Sequence, residues 1–216
     1  MRKKIKLTAY VMLILFGAMF LTFAGFFFYV RQEVKSQINR GIIDSIIFSE
    51  SPVFYNDEIT PIGVYFEKIH SKFIKYSDIP PIYIKALIAS EDGNFFNHSG
   101  FDPKSILRAF IANLKAGRVV QGGSTITQQT AKNVFKREAS GYISKIKELF
   151  QGFILEYYYT KEEILEMYIN QFEVTGFGKG LRIASEYFFD KDVKDLTLVE
   201  SAFIAGMVKG PHKYNP

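Results

Sequence analysis

Two short polar strings carry most of the chemistry open to this chain: E-D-G-N-F-F-N-H at Glu91 to His98 and G-G-S-T-I-T-Q-Q at Gly122 to Gln129. Within 39 residues they gather a carboxylate pair, a histidine, a glycine pair and seven hydroxyl or amide side chains. A segment that only built a core would carry apolar residues there. Glu91 ends an apolar stripe, with Ile84, Leu87, Ile88 and Glu91 at i, i+3, i+4 and i+7. The spacing predicts a helix whose C-terminal end and apolar surroundings both disfavour the carboxylate anion, which suits a general acid or base. A solvated helix end is the competing reading of Glu91 and Asp92. Asp92 would point elsewhere on the helix, to orient a basic group or bind a cation. His98 alone reads as a packing or hydrogen-bonding residue.

Gly122-Gly123 before Ser124-Thr125-x-x-Gln128 reads as a flexible approach to a helix start, with Thr125 and Gln128 at capping-box spacing. Free amides and the positive helix end would suit an anion there, and an ordinary cap would use the same features. Lys132 follows, and Lys145 and Lys147 lie in the next helical segment, so several cations could converge on a phosphate-bearing ligand. Surface lysines alone are a weak signal. Glu148 falls opposite an Ile146, Phe150, Phe153 and Tyr157 stripe, with Lys145 three residues before it. Either it forms an exposed ion pair on a helix face, or it is a second carboxylate facing a cleft.

These residues follow one long apolar segment. Leu7 to Val30 are 24 uncharged positions, and a helix of that length is about 36 Å long, enough to cross a bilayer. A cleaved signal peptide would have a shorter apolar core, about 7–15 residues, and a small-residue cleavage site, whereas this run continues through F-F-F-Y-V to Arg31. Arg2, Lys3, Lys4 and Lys6 crowd the N-terminal side, so the distribution of basic residues predicts an inside N-terminus and an extracytoplasmic domain. Removing those four charges from the net +5 leaves the outer residues near +1, which gives nucleic-acid binding little support. With no cysteine there are no disulfides or thiolate metal sites, and His70, His98 and His212 match no zinc pattern. Any metal would be a hard divalent cation such as Mg on oxygen ligands.

The remaining elements must position the two strings. Residues 31–50 are weakly specified, and a short extended stretch bounded by Pro52 and Pro61 follows. Asp102-Pro103 and Gly117 bracket a helix of about four turns whose Ile106, Leu107, Phe110, Ile111 and Leu114 are expected to be buried. A longer helix is expected over Ile143 to Tyr159. Thr160 and Glu163 make a capping box for the next helix, and Leu198 to Met207 form a final one. With 216 residues and no repeats, the chain reads as one mainly α-helical outer domain plus an anchor.

Taken in order, E-D-G-N-F-F-N-H-S-G, G-G-S-T-I-T-Q-Q-T-A-K-N, S-K-I-K-E, K-E-E-I-L-E-M-Y-I-N and L-T-L-V-E-S-A-F-I-A-G resemble the five motifs of the peptidoglycan glycosyltransferases. These occur as monofunctional transglycosylases and as the first domain of class A penicillin-binding proteins. The resemblance implies a lysozyme-like helical fold with a smaller membrane-proximal lobe, preceded by one transmembrane helix. Its implied divisions are a cytoplasmic tail (1–6), a transmembrane helix (7–30), a membrane-proximal linker and lobe (31–78) and a glycosyltransferase domain (79–216). It also implies a substrate, lipid II and the growing lipid-linked glycan chain, at the outer face of the bacterial cytoplasmic membrane, with cell-wall synthesis or division proteins as partners.

By the same resemblance Glu91 is the general base and Glu148 the second glutamate, placed toward the donor. Asp92, Phe95, His98, Ser124, Thr125, Gln128, Gln129, Lys132, Lys145 and Asn170 match substrate-site positions. Two positions depart from the family pattern: Ser144 stands where arginine is usual, and Ser140 stands at an often basic position. Arg137 is one turn away and is expected to substitute. A lysozyme-like hydrolase or lytic transglycosylase, and a non-catalytic membrane-tethered precursor-binding scaffold, are the alternatives to polymerisation.

Overall fold

Proline and glycine punctuation delimits most of the helices that hold the site. The computed structural model describes residues 2–38, 51–54, 61–65, 71–135, 141–174 and 178–209. Helix α1 (Arg2–Ile38) is continuous and carries the apolar run. A hairpin of β1 (Ser51–Phe54) and β2 (Pro61–Tyr65) pairs antiparallel with Ser51 opposite Tyr65, and it occupies the stretch expected to be extended. Seven further helices follow among the described residues: α2 (Pro81–Glu91), α3 (Pro103–Ala116), α4 (Ile126–Val134), α5 (Tyr142–Tyr158), α6 (Lys161–Ile169), α7 (Leu181–Phe189) and α8 (Leu198–Lys209). Two-residue strands β3 (Glu173–Val174) and β4 (Gly178–Lys179) pair antiparallel between α6 and α7. The chain is mainly α, as its patterning predicts.

Local chemistry sets several boundaries. Asp102 caps α3 by accepting the Lys104 amide at 3.0 Å, Pro103 opens the first turn, and Gly117 ends the helix in the left-handed region at φ 62°. Thr160 and Glu163 form the expected reciprocal box at the start of α6.

Packing produces two clusters. The larger joins Tyr83 and Leu87 of α2, Ile126 of α4, Ile164, Leu165 and Tyr168 of α6, Leu181 of α7 and Ile204 of α8. Each fully buried leucine or isoleucine contributes roughly 1.5–3 kcal/mol, so the α2, α6 and α8 framework is the stable part of the domain. The smaller cluster docks α1 onto that body: Val30 and Val34 meet Ala131, Phe135, Ile154, Leu155 and Met167.

Two expectations about helix faces need correction. The α3 stripe of Ile106, Leu107, Phe110, Ile111 and Leu114 is 39–71% exposed, and Ala109 is the buried residue of this helix. Periodicity identifies an apolar face without saying what covers it. On α5 the buried face is Glu148, Gln151, Gly152, Ile154 and Leu155, while Phe153 and Tyr157 are exposed. The stripe is split because α5 packs on two neighbours: Phe150 fits among Phe23, Phe26 and Phe27 of α1, and the polar-lined face meets α4.

Candidate active site

Glu91 is the last residue of α2, and α4 carries Gln129 to it. Gln129 Nε2 donates to Glu91 Oε2 at 2.9 Å, and Tyr168 on α6 donates its hydroxyl to Gln129 Oε1 at 3.2 Å. Glu91 Oε1 is buried and has no hydrogen-bond partner among the described residues. A carboxylate oxygen without a donor has hydrogen-bonding capacity to spare for an incoming O–H. Two tyrosines border this carboxylate. Burial, and then the Glu91 charge, push the Tyr168 phenol well above its ordinary value and push Tyr83 up as well, so both keep their protons. The Tyr83 hydroxyl is also buried without a partner.

Asp92 faces away from Glu91, as adjacent helix-end residues must, and it does orient a basic group. Its Oδ2 lies 2.9 Å from His98 Nε2 and accepts the Ile126 amide at 3.0 Å. Both side chains are nearly inaccessible, at 2% for Asp92 and 5% for His98. Thr125 caps α4 by accepting the Gln128 amide at 3.2 Å and donates to Gly100 O at 2.9 Å. The helix start therefore departs from the expected open anion site: Asp92 occupies one of its first amides and Thr125 another, and Thr125 and Gln128 are buried.

The cationic side is built on α5. Lys145 Nζ donates to Ser124 Oγ at 2.9 Å and pairs with Glu148. The expected i, i+3 ion pair is thus present, but Glu148 lies on the buried face with a side chain 3% exposed, while Lys145 is 47% exposed. That arrangement places a half-exposed ammonium over a buried carboxylate, beside the Ser124 hydroxyl. Lys132 is exposed on the last turn of α4. Helix α4 touches both α5 and α6, and through Gln129 and the preceding Ser124 turn it connects the two glutamates. Ser144 is described and partly buried, whereas Arg137 and Ser140 lie outside the described residues.

Two sequence candidates make their contacts elsewhere than at the two glutamates. Phe95 is fully buried in the larger core, with Lys161 Nζ 4.4 Å from its ring centroid. Asn170 accepts the Ile74 amide at 2.8 Å and donates to Ile74 O and Glu166 O, tying the end of α6 to the segment before α2. Sequence reasoning overlooked Tyr168, whose spacing with Ile164 and Leu165 reads as core. It also overlooked the Thr127, Glu156 and Lys161 relay, in which Glu156 Oε1 accepts from Thr127 and from Lys161, each at 2.6 Å. Lys161 also donates to His98 O at 2.6 Å, so this relay supports the loop that carries Asp92's partner. No three His, Asp or Glu side chains among the described residues gather to hold a metal ion.

One helical body thus carries a carboxylate at a helix end and a buried second glutamate paired to a lysine, and it follows an N-terminal apolar helix. The chain belongs to the transglycosylase family, whose model matches residues 56–216. It is 42% identical over 165 residues to penicillin-binding protein 1A of Pseudomonas aeruginosa, covering 72% of this chain and 20% of that protein. It is 43% identical over 144 residues to penicillin-binding protein 1A of Aquifex aeolicus, covering 67% of this chain and 20% of that protein. With penicillin-binding protein 1F of Bacillus subtilis it shares 43% over 143 residues, 66% of this chain and 20% of that protein. The chain thus spans about a fifth of the length of these curated relatives.

Proposed function

We propose that this chain polymerises lipid II into peptidoglycan glycan strands by inverting glycosyl transfer. The observation that carries the reading is the state of Glu91, with one oxygen held by Gln129 and the other buried without a protein donor. In the proposed step, Glu91 takes the proton of the acceptor sugar's 4-hydroxyl as that oxygen bonds to the donor's anomeric carbon. The anomeric carbon–oxygen bond to phosphate breaks on the opposite face, configuration inverts, and undecaprenyl pyrophosphate departs with the bonding pair. Lys145, bridging Ser124 and Glu148, and exposed Lys132 supply cations for the pyrophosphate charge that develops. Because two α4 amides are already bonded, the side-chain cations carry more of this duty than the helix start does.

The membrane setting supports the same reading. Lys6–Ile38 is long and apolar enough to cross a bilayer, at mean hydropathy 2.4 and with none of its most apolar window buried. With Arg2, Lys3, Lys4 and Lys6 inside, the catalytic body faces outward, and the uncovered α3 stripe is suited to the lipid surface that delivers the substrate. Of the divisions read from the sequence, the tail, the span, the 31–78 lobe and the 79–216 domain remain part of this proposal.

The deciding experiment incubates residues 1–216 in detergent or liposomes with lipid II and resolves the products by size. Polymer formation with release of undecaprenyl pyrophosphate is the expected result. Shortening of finished glycan with no polymer would assign a hydrolase, and lipid II binding without turnover would assign a scaffold.

A further inference from the structure

The Gln129 side chain has two chemically different ends, and the structure uses both. Nε2 donates to Glu91 Oε2 at 2.9 Å, and Oε1 accepts the Tyr168 hydroxyl at 3.2 Å. A primary amide can rotate end for end, and the reversed form would point its carbonyl oxygen at the Glu91 carboxylate. Reversal is opposed at both ends of the amide, by the Glu91 carboxylate at one and by Tyr168 at the other. Tyr168 is 2% exposed and fixed on α6, and burial together with the Glu91 charge keeps its phenol protonated, so it can donate. If the amide reversed, the Tyr168 oxygen could accept from the NH2 group, but its own buried O–H would lose the acceptor it has in Gln129 Oε1, while the amide carbonyl would face the Glu91 carboxylate.

We propose that Tyr168 is a positioning residue for Glu91, locking the Gln129 amide so that its N–H, and not its carbonyl, meets the carboxylate. The inference rests on the proposed role of Glu91 as base. Tyr168 does not touch the reacting atoms. It acts through Gln129, keeping Oε2 engaged and Oε1 uncommitted. The other ionisable groups around this centre are Tyr83 on α2, itself buried and protonated, and Asp92, which is already bonded to His98 and Ile126. Neither supplies Gln129 with a substitute partner among the described bonds.

The test compares wild type, Tyr168→Phe, Gln129→Ala and the double variant in lipid II polymerisation. Tyr168→Phe is expected to lower kcat about 10- to 100-fold, the worth of one charge-assisted hydrogen bond, with KM within about twofold. In the Gln129→Ala background the same change is expected to cost nothing further, because the tyrosine acts only through the amide. Unchanged kcat in Tyr168→Phe, a loss confined to KM, or equal losses in both backgrounds would overturn the proposal. An activity-independent reading uses the Gln129 side-chain NH2 resonances, assigned by their disappearance in Gln129→Ala. They are expected to be protected from water exchange in wild type and to lose that protection in Tyr168→Phe, and equal protection in both overturns the lock. If Tyr168→Phe fails to fold, Gln129→Glu, which keeps an acceptor for Tyr168 but offers Glu91 no donor, must lose at least as much kcat as Gln129→Ala. Retained activity in that variant overturns the lock. A wild-type chain that makes no polymer counts against the assigned reaction, while the NH2 protection still reports on the lock itself.

Discussion

Asp92 and His98 form a closed pair at the base of the site, Oδ2 to Nε2 at 2.9 Å, and the same carboxylate oxygen accepts the first amide of α4. One buried oxygen therefore fixes the end of α2, the 92–98 turn and the start of α4 relative to one another. Asp92→Ala would strand a buried amide and a buried imidazole together. We predict a loss of about 3 kcal/mol in urea unfolding, and a loss below about 1 kcal/mol would show that the pair does not organise these elements.

Glu91→Gln preserves shape and the helix end but removes the proton acceptor. Polymer formation is predicted to fall at least 100-fold, with the melting temperature close to that of wild type because the amide keeps the size and shape of the side chain. Activity within tenfold of wild type would refute the assignment of the base.

The Lys145–Glu148 pair is asymmetric, with the carboxylate buried and the ammonium half in water. Lys145→Ala removes the ammonium that faces the buried Glu148 carboxylate, so it is predicted to cost more stability than Lys145→Ala combined with Glu148→Gln. The gap is about 1 kcal/mol, reduced by solvent screening on the lysine side. Thermal melts of the three proteins settle the order, and a double variant no more stable than the single one contradicts it.

Alkaline stability is set in part by Tyr83 and Tyr168. Burial first, and the Glu91 charge second, raise both phenols above 10.0, so the folded protein keeps protons that the unfolded chain gives up. Their stabilising contribution is therefore intact below about pH 10 and declines as pH rises beyond it. Tyr83→Phe removes one such group together with a hydroxyl that has no partner. It is predicted to flatten the fall in stability between about pH 9 and 11 and to leave neutral stability equal or higher. An unchanged alkaline slope by circular dichroism would count against it.

Gly100 sits at φ 82°, and a Cβ there would come 3.1 Å from the Gly152 backbone. Gly100→Ala is predicted to cost about 1–3 kcal/mol and to lower activity by moving the carbonyl that Thr125 bonds. A stability change under about 0.5 kcal/mol would show that the backbone there can relax.

The sequence made the helices legible and their surroundings much less so. Asp102-Pro103, Gly117 and the Thr160–Glu163 box mark termini by local hydrogen bonding, which needs no knowledge of the rest of the chain. The α3 stripe was legible as apolar but not as uncovered, because the same pattern serves a protein core or a lipid surface. Glu148 looked like part of an exposed face because α5 has two buried sides, one packed on α1 and one lined with polar groups. Glu91 stood out through its stripe, and Asp92's duty to a basic group was anticipated. The Tyr168–Gln129–Glu91 line joins three helices across up to 77 positions of sequence and is a property of packing alone.

Phe150 of α5 nests among Phe23, Phe26 and Phe27, and Lys147 pairs with Glu33 at 2.8 Å, so the same helix grips α1 on both sides of Arg31. A span and a body joined this way share one rotation angle. A residue inserted into α1 above Val11 and below Phe23 would lift the body about 1.5 Å and swing it about 100° around the span axis. Seven residues, nearly two full turns, would restore the heading at a greater height. The apolar helix is thus a rigid extension of the helical body, and its rotation is carried directly to Glu91 and Lys145.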